Sequence, residues 1–223
     1  MRHPWPRVGD VSAPVEHIRF AVVDVETSGL SFRRDNVLQV GVVIVTGGGQ
    51  VLDRWSSLVA PRSRWWFRVG PTKLHGIRRR DVRGASPATH VLSKLASSLT
   101  GTRFVAHNAS FDTQFLHKAA ARTGVELRID QPICTLQLSR SLDPQRTMRH
   151  RLADLCTRYG VTLIKPHDAL ADAEATAAIL PHLLAAHHVT TGDELDQLLI
   201  RIQNLRRGAT SQSDPTVGLD QLG

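Results

Sequence analysis

The chain has 223 residues, of which 41% are hydrophobic and 22% are charged, and these values are typical of a globular protein with one sizeable domain. Its two cysteines, Cys134 and Cys156, exclude a disulfide framework and a zinc site built on paired cysteines. The N-terminus lacks an apolar stretch long enough for a signal peptide, and no segment reads as a membrane span. We therefore expect a cytoplasmic protein that does not contact a membrane.

The net charge is +8, from 28 lysines and arginines against 20 aspartates and glutamates. A basic balance suits a polyanionic substrate such as nucleic acid, because cationic side chains attract the phosphate backbone. A generally arginine-rich proteome accounts for the same charge equally well. Charge alone therefore leaves both interpretations open.

The first part of the chain predicts strands. Residues 1–15 are rich in proline and polar groups and predict a loose lead. Three segments rich in Val and Ile follow, at Ile18–Glu26, Val37–Thr46 and Val51–Val59, and Gly47–Gly49 marks a turn between the last two. Short connections between such strands predict an antiparallel meander.

The rest of the chain alternates between helical and strand patterns. The predicted helices are Pro87–Leu99, Phe111–Arg122, Ile133–Leu142, Leu152–Tyr159 and Ala169–His187, and the predicted strands are Thr102–Ala106 and Arg128–Ile129. We expect Pro181 to kink or divide the last helix. Strands followed by alternating helices and strands predict an α/β sandwich with a mixed central sheet flanked by helices.

The predicted domain covers residues 16–190. A capping-box pattern at Thr191–Glu194 then predicts a C-terminal helix over residues 191–205. From residue 206 to 223 the composition shifts to Gly, Ser, Thr, Asp and Pro, which predicts a mobile tail.

Two carboxylates end the first predicted strand. Side chains alternate along a strand, so Asp24 and Glu26 point to the same face. Two like charges side by side repel each other unless a positive charge lies between them, and a divalent cation with oxygen ligands meets that need. Taken alone this signal is weak, because strands that run into solvated loops often end in acidic residues.

Two later segments supply further groups of the same kind. His107–Asp112 follows a short apolar strand and places Asp112 near the start of a helix. In the second segment, Asp168 can cap a helix that carries Asp172 on its second turn. His167 then lies just ahead of that helix.

These segments resemble the motifs of the DEDDh 3′–5′ exonuclease family, which includes the proofreading epsilon subunit of bacterial DNA polymerase III. The motif D-x-E-T followed by G-L stands at Asp24–Leu30, and H-N-A-x-F-D stands at His107–Asp112. H-x-A-x-x-D-A stands at His167–Ala173, and a lesser block, H-G-I, stands at His75–Ile77. Three motifs in the right order rarely coincide by chance. One departure is Cys134, where many relatives carry an aspartate.

The resemblance implies a ribonuclease H-like fold and a site for two metal ions. All-oxygen ligation favours Mg²⁺ or Mn²⁺ over zinc. The resemblance implies that Asp24 bridges both ions and that Glu26 and Asp172 complete the site for the attacking water. It further implies that Asp112 supports the second ion and that His167 is the general base.

The resemblance also implies substrate contacts. In the family, the segment with Thr27 and Leu30 contacts the 3′-terminal nucleotide, and an apolar residue at the position of Leu30 wedges against the base. Motif matches add three further candidates, which are His75, Asn108 and Phe111. Core packing for Phe111 and a purely local role for Asn108 in its turn are open alternatives.

Two basic segments are candidates for contacts with nucleic acid. Arg64–Arg68 alternates basic and aromatic residues, which suits stacking on unpaired bases, and partial burial of its tryptophans is an equal alternative. Arg78–Arg80 suits phosphate binding or a solvated turn.

We therefore expect a metal-dependent exonuclease that acts on single-stranded nucleic acid with a free 3′ end, for proofreading or repair of DNA. One alternative is a 3′–5′ exoribonuclease, since no residue in the sequence identifies a contact with a 2′-hydroxyl. Another is a nucleic-acid-binding subunit that associates with a DNA polymerase through residues 190–223. Loss of activity in Asp24→Ala distinguishes an enzyme from a binding module.

Overall fold

The computed structural model describes residues 12–63 and 67–211. Parts of three predicted features lie outside these ranges. They are residues 1–11 of the lead, Arg64–Trp66 of the aromatic and basic segment, and residues 212–223 of the tail.

The described residues form one five-stranded sheet. Its strands are β1 (Arg19–Thr27), β2 (Val37–Thr46), β3 (Val51–Leu58), β4 (Arg103–Ala106) and β5 (Ile133–Cys134). The spatial order is β3-β2-β1-β4-β5, with β1 in the centre. The pairs β1–β2 and β2–β3 are antiparallel, whereas β1–β4 and β4–β5 are parallel. The predicted meander and mixed sheet are confirmed.

The helices flank this sheet. In the described ranges they are α1 (Thr72–His75), α2 (Arg79–Arg83), α3 (Ala88–Leu99), α4 (Ala109–Thr123), α5 (Thr135–Ser141), α6 (Leu152–Tyr159), α7 (Ala169–Ala186) and α8 (Gly192–Ser211). A 3-10 helix at Val15–His17 precedes β1.

Alternation along β1 divides the core into two layers. Phe20 and Val22 pack on one face with residues of α5, α6, α7 and α8. Ala21, Val23 and Val25 pack on the other face with residues of α3 and α4. The sheet is therefore covered on both faces, and the ends of its central strand lie between two helical layers.

Two predictions around β5 are wrong. Arg128–Ile129 has no strand structure, although Ile129 is buried in the α3–α4 layer. The strand is Ile133–Cys134, where Ile133 pairs with Val105 of β4, and α5 begins only at Thr135. Two residues carry no periodic signal, so a strand this short is defined by its parallel partner rather than by local sequence.

Helix α7 continues through Pro181 without a break, so of the predicted kink or division the division is wrong. A proline within a helix costs about 3 kcal/mol, and burial of the flanking apolar residues Ile179, Leu180 and Leu183 offsets that cost. Within the described ranges, α7 is also the one helix long and apolar enough to cross a membrane, contrary to the expectation from sequence. Its buried contacts with β1 and β2 are those of a core helix.

The segment before β1 is hydrogen-bonded to the connection between α7 and α8. The backbone N–H of Val15 donates to the carbonyl of Thr190 at 2.8 Å, and Gly192 N–H donates to the carbonyl of Ala13 at 3.0 Å. The predicted capping box is confirmed, because Thr191 and Glu194 each accept a hydrogen bond from the other's backbone N–H. Helix α8 runs to residue 211, so residues 206–211 are helical and the predicted start of the tail is wrong.

Candidate active site

Strand β1 presents two carboxylates towards α7. Asp24 and Glu26 continue the series begun by Phe20 and Val22, which pack in the α7 layer. The side chain of Glu26 is buried, with 8% of its surface exposed, and Asp24 is half-buried. The predicted shared face of these two residues therefore points at the start of α7.

Strand β2 allows α7 to approach the carboxylates closely. Gly41 is paired with Asp24, and a Cβ atom on Gly41 would lie 2.2 Å from the carbonyl oxygen of Ala169. Gln39 is paired with Glu26, and its Oε1 accepts a hydrogen bond from Ala169 N–H at 3.4 Å. These two β2 residues hold the first turn of α7 over the acidic end of β1.

The first turn of α7 is capped as predicted. Oδ1 of Asp168 accepts hydrogen bonds from Leu170 N–H at 3.2 Å and from Ala171 N–H at 3.4 Å. Its Oδ2 lies 3.0 Å from Nζ of Lys165. Asp168 is thus a helix cap that also pairs with the Lys165 side chain. Asp172 lies one turn later, with 9% of its surface exposed.

His167 adopts a backbone conformation that is unusual for its type. Its φ is +65°, in the left-handed region, and its side chain is exposed. Its backbone N–H donates to Oδ2 of Asp172 at 3.1 Å. Ligand atoms of Glu26, His167 and Asp172 all lie within 4.8 Å of one another, so the structure brings these three predicted residues together.

Asp112 reaches the same place from the other layer. Strands β1 and β4 are paired only over Phe20–Val22 on β1, so the backbone of Val25 extends beyond the ladder. Val25 N–H donates to Oδ1 of Asp112 at 3.2 Å, and Asp112 is 97% buried. Its position at the start of α4, beyond the carboxyl end of β4, is the edge where ligands bind in sheets of this kind.

Burial and mutual repulsion make the ionised forms of the four carboxylates unfavourable. Burial raises the pKa of Asp24 well above its usual value, and the charges of Asp112, Asp172 and Glu26 raise it further. Burial, followed by the charge of Asp172, raises the pKa of Glu26 to about 7.

The remaining two carboxylates shift in the same direction. Burial raises the pKa of Asp112, partly opposed by hydrogen bonds from its own backbone N–H and from that of Val25. Burial also raises the pKa of Asp172, partly opposed by the backbone and ring of His167.

This cluster fits a divalent cation. Oδ1 of Asp172 is buried and has no hydrogen-bond partner among the described residues. The donors are carboxylate oxygens, which are the ligands of hard ions such as Mg²⁺ and Mn²⁺. A cation would relieve both the unsatisfied oxygen and the mutual repulsion of the four acids, so Asp24, Glu26, Asp112 and Asp172 are the candidate ligands.

The two predicted contacts after β1 differ in accessibility. Leu30 is 87% exposed, which suits a side chain that contacts a nucleotide. Thr27 is buried, and its hydroxyl donates to the carbonyl of Gly29 at 2.7 Å, so this hydroxyl holds the turn that presents Leu30.

The other three predicted contacts differ in what their side chains already touch. Both ring nitrogens of His75 are occupied, because Nε2 lies 3.0 Å from the carbonyl of Val69 and Nδ1 accepts from Ile77 N–H at 3.0 Å. Asn108 has a left-handed φ of +66° and an exposed side chain. Phe111 is half-buried against Phe115, with ring centroids 4.9 Å apart.

Sequence reasoning missed the two residues of β2 that seat α7, Gln39 and Gly41. A signal for Gly41 was available, because a glycine inside a strand rich in Val and Ile marks a close approach of another backbone. His107, from the second motif, contacts the first residue of α5. Its Nδ1 lies 3.0 Å from Oγ1 of Thr135, and burial lowers its pKa to about 4.

The sheet order and the helices on both faces define an α/β protein of the ribonuclease H-like fold class, and comparison with known proteins agrees. The RNase T exonuclease family model matches residues 21–180. The chain is 33% identical over 165 residues to the PolC-type DNA polymerase III of Bacillus cereus, and 35% identical over 161 residues to that of Oceanobacillus iheyensis. These matches cover 74% and 72% of this chain but only 11% of each polymerase.

Solved structures share the fold. Exonuclease X in complex with 5′ overhanging duplex DNA matches with a TM-score of 0.60 and 24% identity, covering 80% of this chain and 98% of that one. E. coli exonuclease I in complex with a dT13 oligonucleotide matches with a TM-score of 0.65 and 18% identity, covering 77% of this chain and 42% of that one. The predicted ribonuclease H-like fold is confirmed, and the chain belongs to the RNase T exonuclease family.

Proposed function

We propose that this protein is a 3′–5′ exonuclease that removes nucleotides from the free 3′ end of single-stranded DNA with two bound Mg²⁺ or Mn²⁺ ions. The observation that carries the proposal is the convergence of carboxylates from β1, α4 and α7 with an exposed histidine beside them. Asp24, Glu26, Asp112 and Asp172 would hold the ions.

The reaction breaks the bond between phosphorus and the 3′ oxygen of the neighbouring nucleotide. The oxygen of a water molecule forms the new bond to phosphorus, so the products are a nucleoside 5′-monophosphate and a strand with a new 3′-hydroxyl. When bound, the ions would lower the pKa of that water and stabilise negative charge on the leaving oxygen. The buried carboxylates provide a fixed, partly dehydrated environment for that charge.

His167 is the proposed general base. Its ring lies within 4.8 Å of the carboxylate oxygens of Glu26 and Asp172, so it can accept a proton from a water molecule held next to them. The hydrogen bond from its backbone to Asp172 fixes the position from which the ring extends. Because the ring is exposed, it can then release the proton to solvent.

Leu30 is the proposed contact with the terminal base. Leu30 keeps 87% of its surface exposed, so folding buries little of this apolar side chain. A base that packs on it can bury the remaining apolar surface. Thr27 supports the turn, and Asn108 and Phe111 lie at the start of α4 next to Asp112. His75 would act by holding its loop, because both of its ring nitrogens are already used.

The polymerase relatives favour a proofreading or repair role, with a DNA polymerase as a partner and the bacterial cytoplasm as the location. RNA as the substrate is the competing proposal. The decisive experiment incubates matched DNA and RNA single strands, labelled at either end, with Mg²⁺, Mn²⁺ or a chelator. A 5′ label should give progressively shorter strands and a 3′ label should give mononucleotides at once, in DNA more than in RNA, and only with metal.

Asp24→Asn is the matched control, because it keeps the shape of the side chain and removes its charge. It should abolish cleavage while leaving the far-ultraviolet circular dichroism unchanged. Cleavage in the presence of chelator, equal cleavage by Asp24→Asn, or immediate release of mononucleotides from a 5′ label without shortened intermediates would each refute the proposed activity.

A further inference from the structure

An open cavity of about 850 Å³ lies at the same end of the sheet as the carboxylates, in the α3–α4 layer. Its walls come from the start of β2, the segment after β3, the start of α3 and the last three turns of α4. None of the four proposed metal ligands lines it. The cavity is therefore separate from the metal site.

The walls of this cavity are strongly cationic. Among the residues that the structure describes, five lysines or arginines line it and no aspartate or glutamate does; the five are Arg34, Arg62, Arg68, Lys118 and Arg122. Lys118 is half-buried, and burial followed by the charge of Arg122 lowers the pKa of Lys118. Like charges gathered around a concave surface favour an anion between them.

Two of the five cations are already engaged in holding the wall. Nζ of Lys118 donates to the backbone carbonyl of Asp35, and Nη1 of Arg122 donates to Oδ1 of Asn36 at 2.9 Å. Arg34, Arg62 and Arg68 are exposed. The arginines that can meet a ligand therefore come from two loops, while α4 supplies the rigid side of the cavity.

Apolar and aromatic residues form much of the rest of the lining, together with a few uncharged polar side chains. Phe67, in the wall next to Arg68, is half-buried and has the guanidinium of Arg79 over its ring at 4.4 Å, whereas Phe115 on α4 is 1% exposed and supports the wall from beneath. A surface that combines arginines with aromatic rings is typical of sites that bind single strands, where phosphates meet cations and bases meet apolar faces. Inorganic anions alone would not require the apolar part.

Two elements connect the cavity with the metal site. Asn36 lines the cavity, and its carbonyl accepts a hydrogen bond from Ser28 N–H, directly after β1, at 2.9 Å. Phe115 follows Asp112 by three residues on α4, which is about 4.5 Å along the helix axis. A strand with its 3′ end at the carboxylates can thus pass over the start of α4 into the cavity.

We propose that this cavity binds the backbone phosphates of the nucleotides that lie 5′ to the scissile bond, and so holds the strand that is not yet cleaved. The inference rests on the proposed exonuclease function, because that function places the 3′ end at Asp24 and Asp112. Arg62 and Arg68 are the principal phosphate contacts, and Arg34 lies in the loop between β1 and β2.

The test compares the double variant Arg62→Gln/Arg68→Gln with wild type on two substrates. A long oligothymidine reaches the cavity, whereas an aryl ester of thymidine 5′-monophosphate occupies the metal site alone. We expect KM for the oligomer to rise about tenfold and kcat/KM for the ester to be unchanged. Binding of a fluorescent oligothymidine in chelator, measured by anisotropy, should have a salt slope smaller by about 1.4.

The matched control is Arg54→Gln/Arg201→Gln, which removes the same charge from β3 and α8, outside the cavity. Equal weakening of oligomer binding by both double variants would show that net charge alone causes the effect, which would overturn the inference. An unchanged oligomer KM and salt slope in Arg62→Gln/Arg68→Gln would overturn it as well. If neither substrate is cleaved by wild type, the proposed function fails, and the anisotropy comparison still decides whether the cavity binds the strand.

Discussion

The backbone N–H of His167 donates a 3.1 Å hydrogen bond to Oδ2 of Asp172, so the proposed base and a proposed metal ligand are fixed to each other. The other oxygen, Oδ1, is buried and has no partner among the described residues. One oxygen of the Asp172 carboxylate therefore binds the backbone, and the other is available to a cation. The short segment before α7 thus positions two functional groups with a single interaction.

Asp172→Asn tests this division directly. The amide keeps the shape of the side chain and lacks the charge needed to hold a divalent ion. Because metal ions supply several kcal/mol of transition-state stabilisation, we expect kcat to fall by at least about 100-fold. Asp168→Asn is the control, since asparagine also caps helices, and steady-state cleavage of a labelled single strand should remain near wild type. Similar losses in both variants would contradict the assignment.

His167→Ala removes the proposed base. General bases contribute roughly 10²- to 10⁴-fold, so we expect a kcat loss in that range with Mg²⁺ affinity unchanged by calorimetry. Alanine tolerates a left-handed backbone poorly, and His167→Asn controls for that strain because asparagine adopts it readily. Both variants should lose activity equally. Retention of activity in His167→Asn would assign the effect of alanine to the backbone instead.

Stability should depend on pH and metal together. The pKa of Glu26 is raised from 4.5 to about 7, so its contribution to folding is favourable below pH 4.5 and is lost as the pH rises through about 7. Burial shifts the pKa of Asp24, Asp112 and Asp172 in the same direction. Across this window, ionisation of Glu26 alone should lower the free energy of unfolding of the metal-free protein by roughly 3 kcal/mol.

Denaturant unfolding in chelator and in Mg²⁺, at several pH values, measures this effect. The stabilisation by Mg²⁺ should grow as the pH rises through the same window, because only ionised carboxylates bind the ion. The hydrogen bonds from Met148 and Thr147 lower the pKa of Asp143 to about 2. The stability that Asp143 contributes is therefore lost only at more acidic pH, outside the window of Glu26. Metal stabilisation that is constant across the window would contradict the cluster.

Leu30→Ala should affect substrate binding without affecting the fold. The side chain is 87% exposed, so its truncation removes few internal contacts and Tm should stay within error. We expect KM for a single strand to rise several-fold, equivalent to about 1 kcal/mol of lost apolar contact. Ile200→Ala on α8, which is 57% exposed, is the control and should leave KM unchanged. A large loss of Tm in Leu30→Ala would show a structural role instead.

The local pattern of the sequence was sufficient for much of this structure. Strand β2 has the predicted bounds, and Asp24 and Glu26 share a face because strand alternation requires it. Asp168 caps its helix as the motif indicated. These features depend on residues within a few positions of each other, where periodicity and capping rules apply.

Features that depend on distant parts of the chain were not predictable in the same way. Strand β5 exists because Ile133 finds Val105, and the cationic cavity gathers arginines from separate loops around α4. The left-handed φ of His167 occurs together with its backbone bond to Asp172, five residues further along the chain. Tertiary contacts, rather than propensity, decide the first two of these features.

Gly41→Ala tests the approach of α7 to β2, on which the geometry of the site depends. A Cβ atom would lie 2.2 Å from the carbonyl of Ala169 and 2.5 Å from Leu170 N, and backbone atoms cannot turn aside as a flexible side chain can. The first turn of α7 must then move away from Asp24, which carries Asp172 and His167 with it. We expect a stability loss of about 1–3 kcal/mol in denaturant unfolding and a fall in kcat of about 100-fold, because small misplacements of catalytic groups are costly.

Gly84→Ala is the matched control, because nothing lies within 4 Å of its added methyl group and its φ of −98° suits any residue. It should leave stability and kcat at wild-type values. Wild-type kcat in Gly41→Ala would mean that the first turn of α7 can shift without disturbing the carboxylates. In that case Gln39, whose Oε1 accepts from Ala169 N–H, would have to hold Asp172 and His167 in place without the close packing at Gly41.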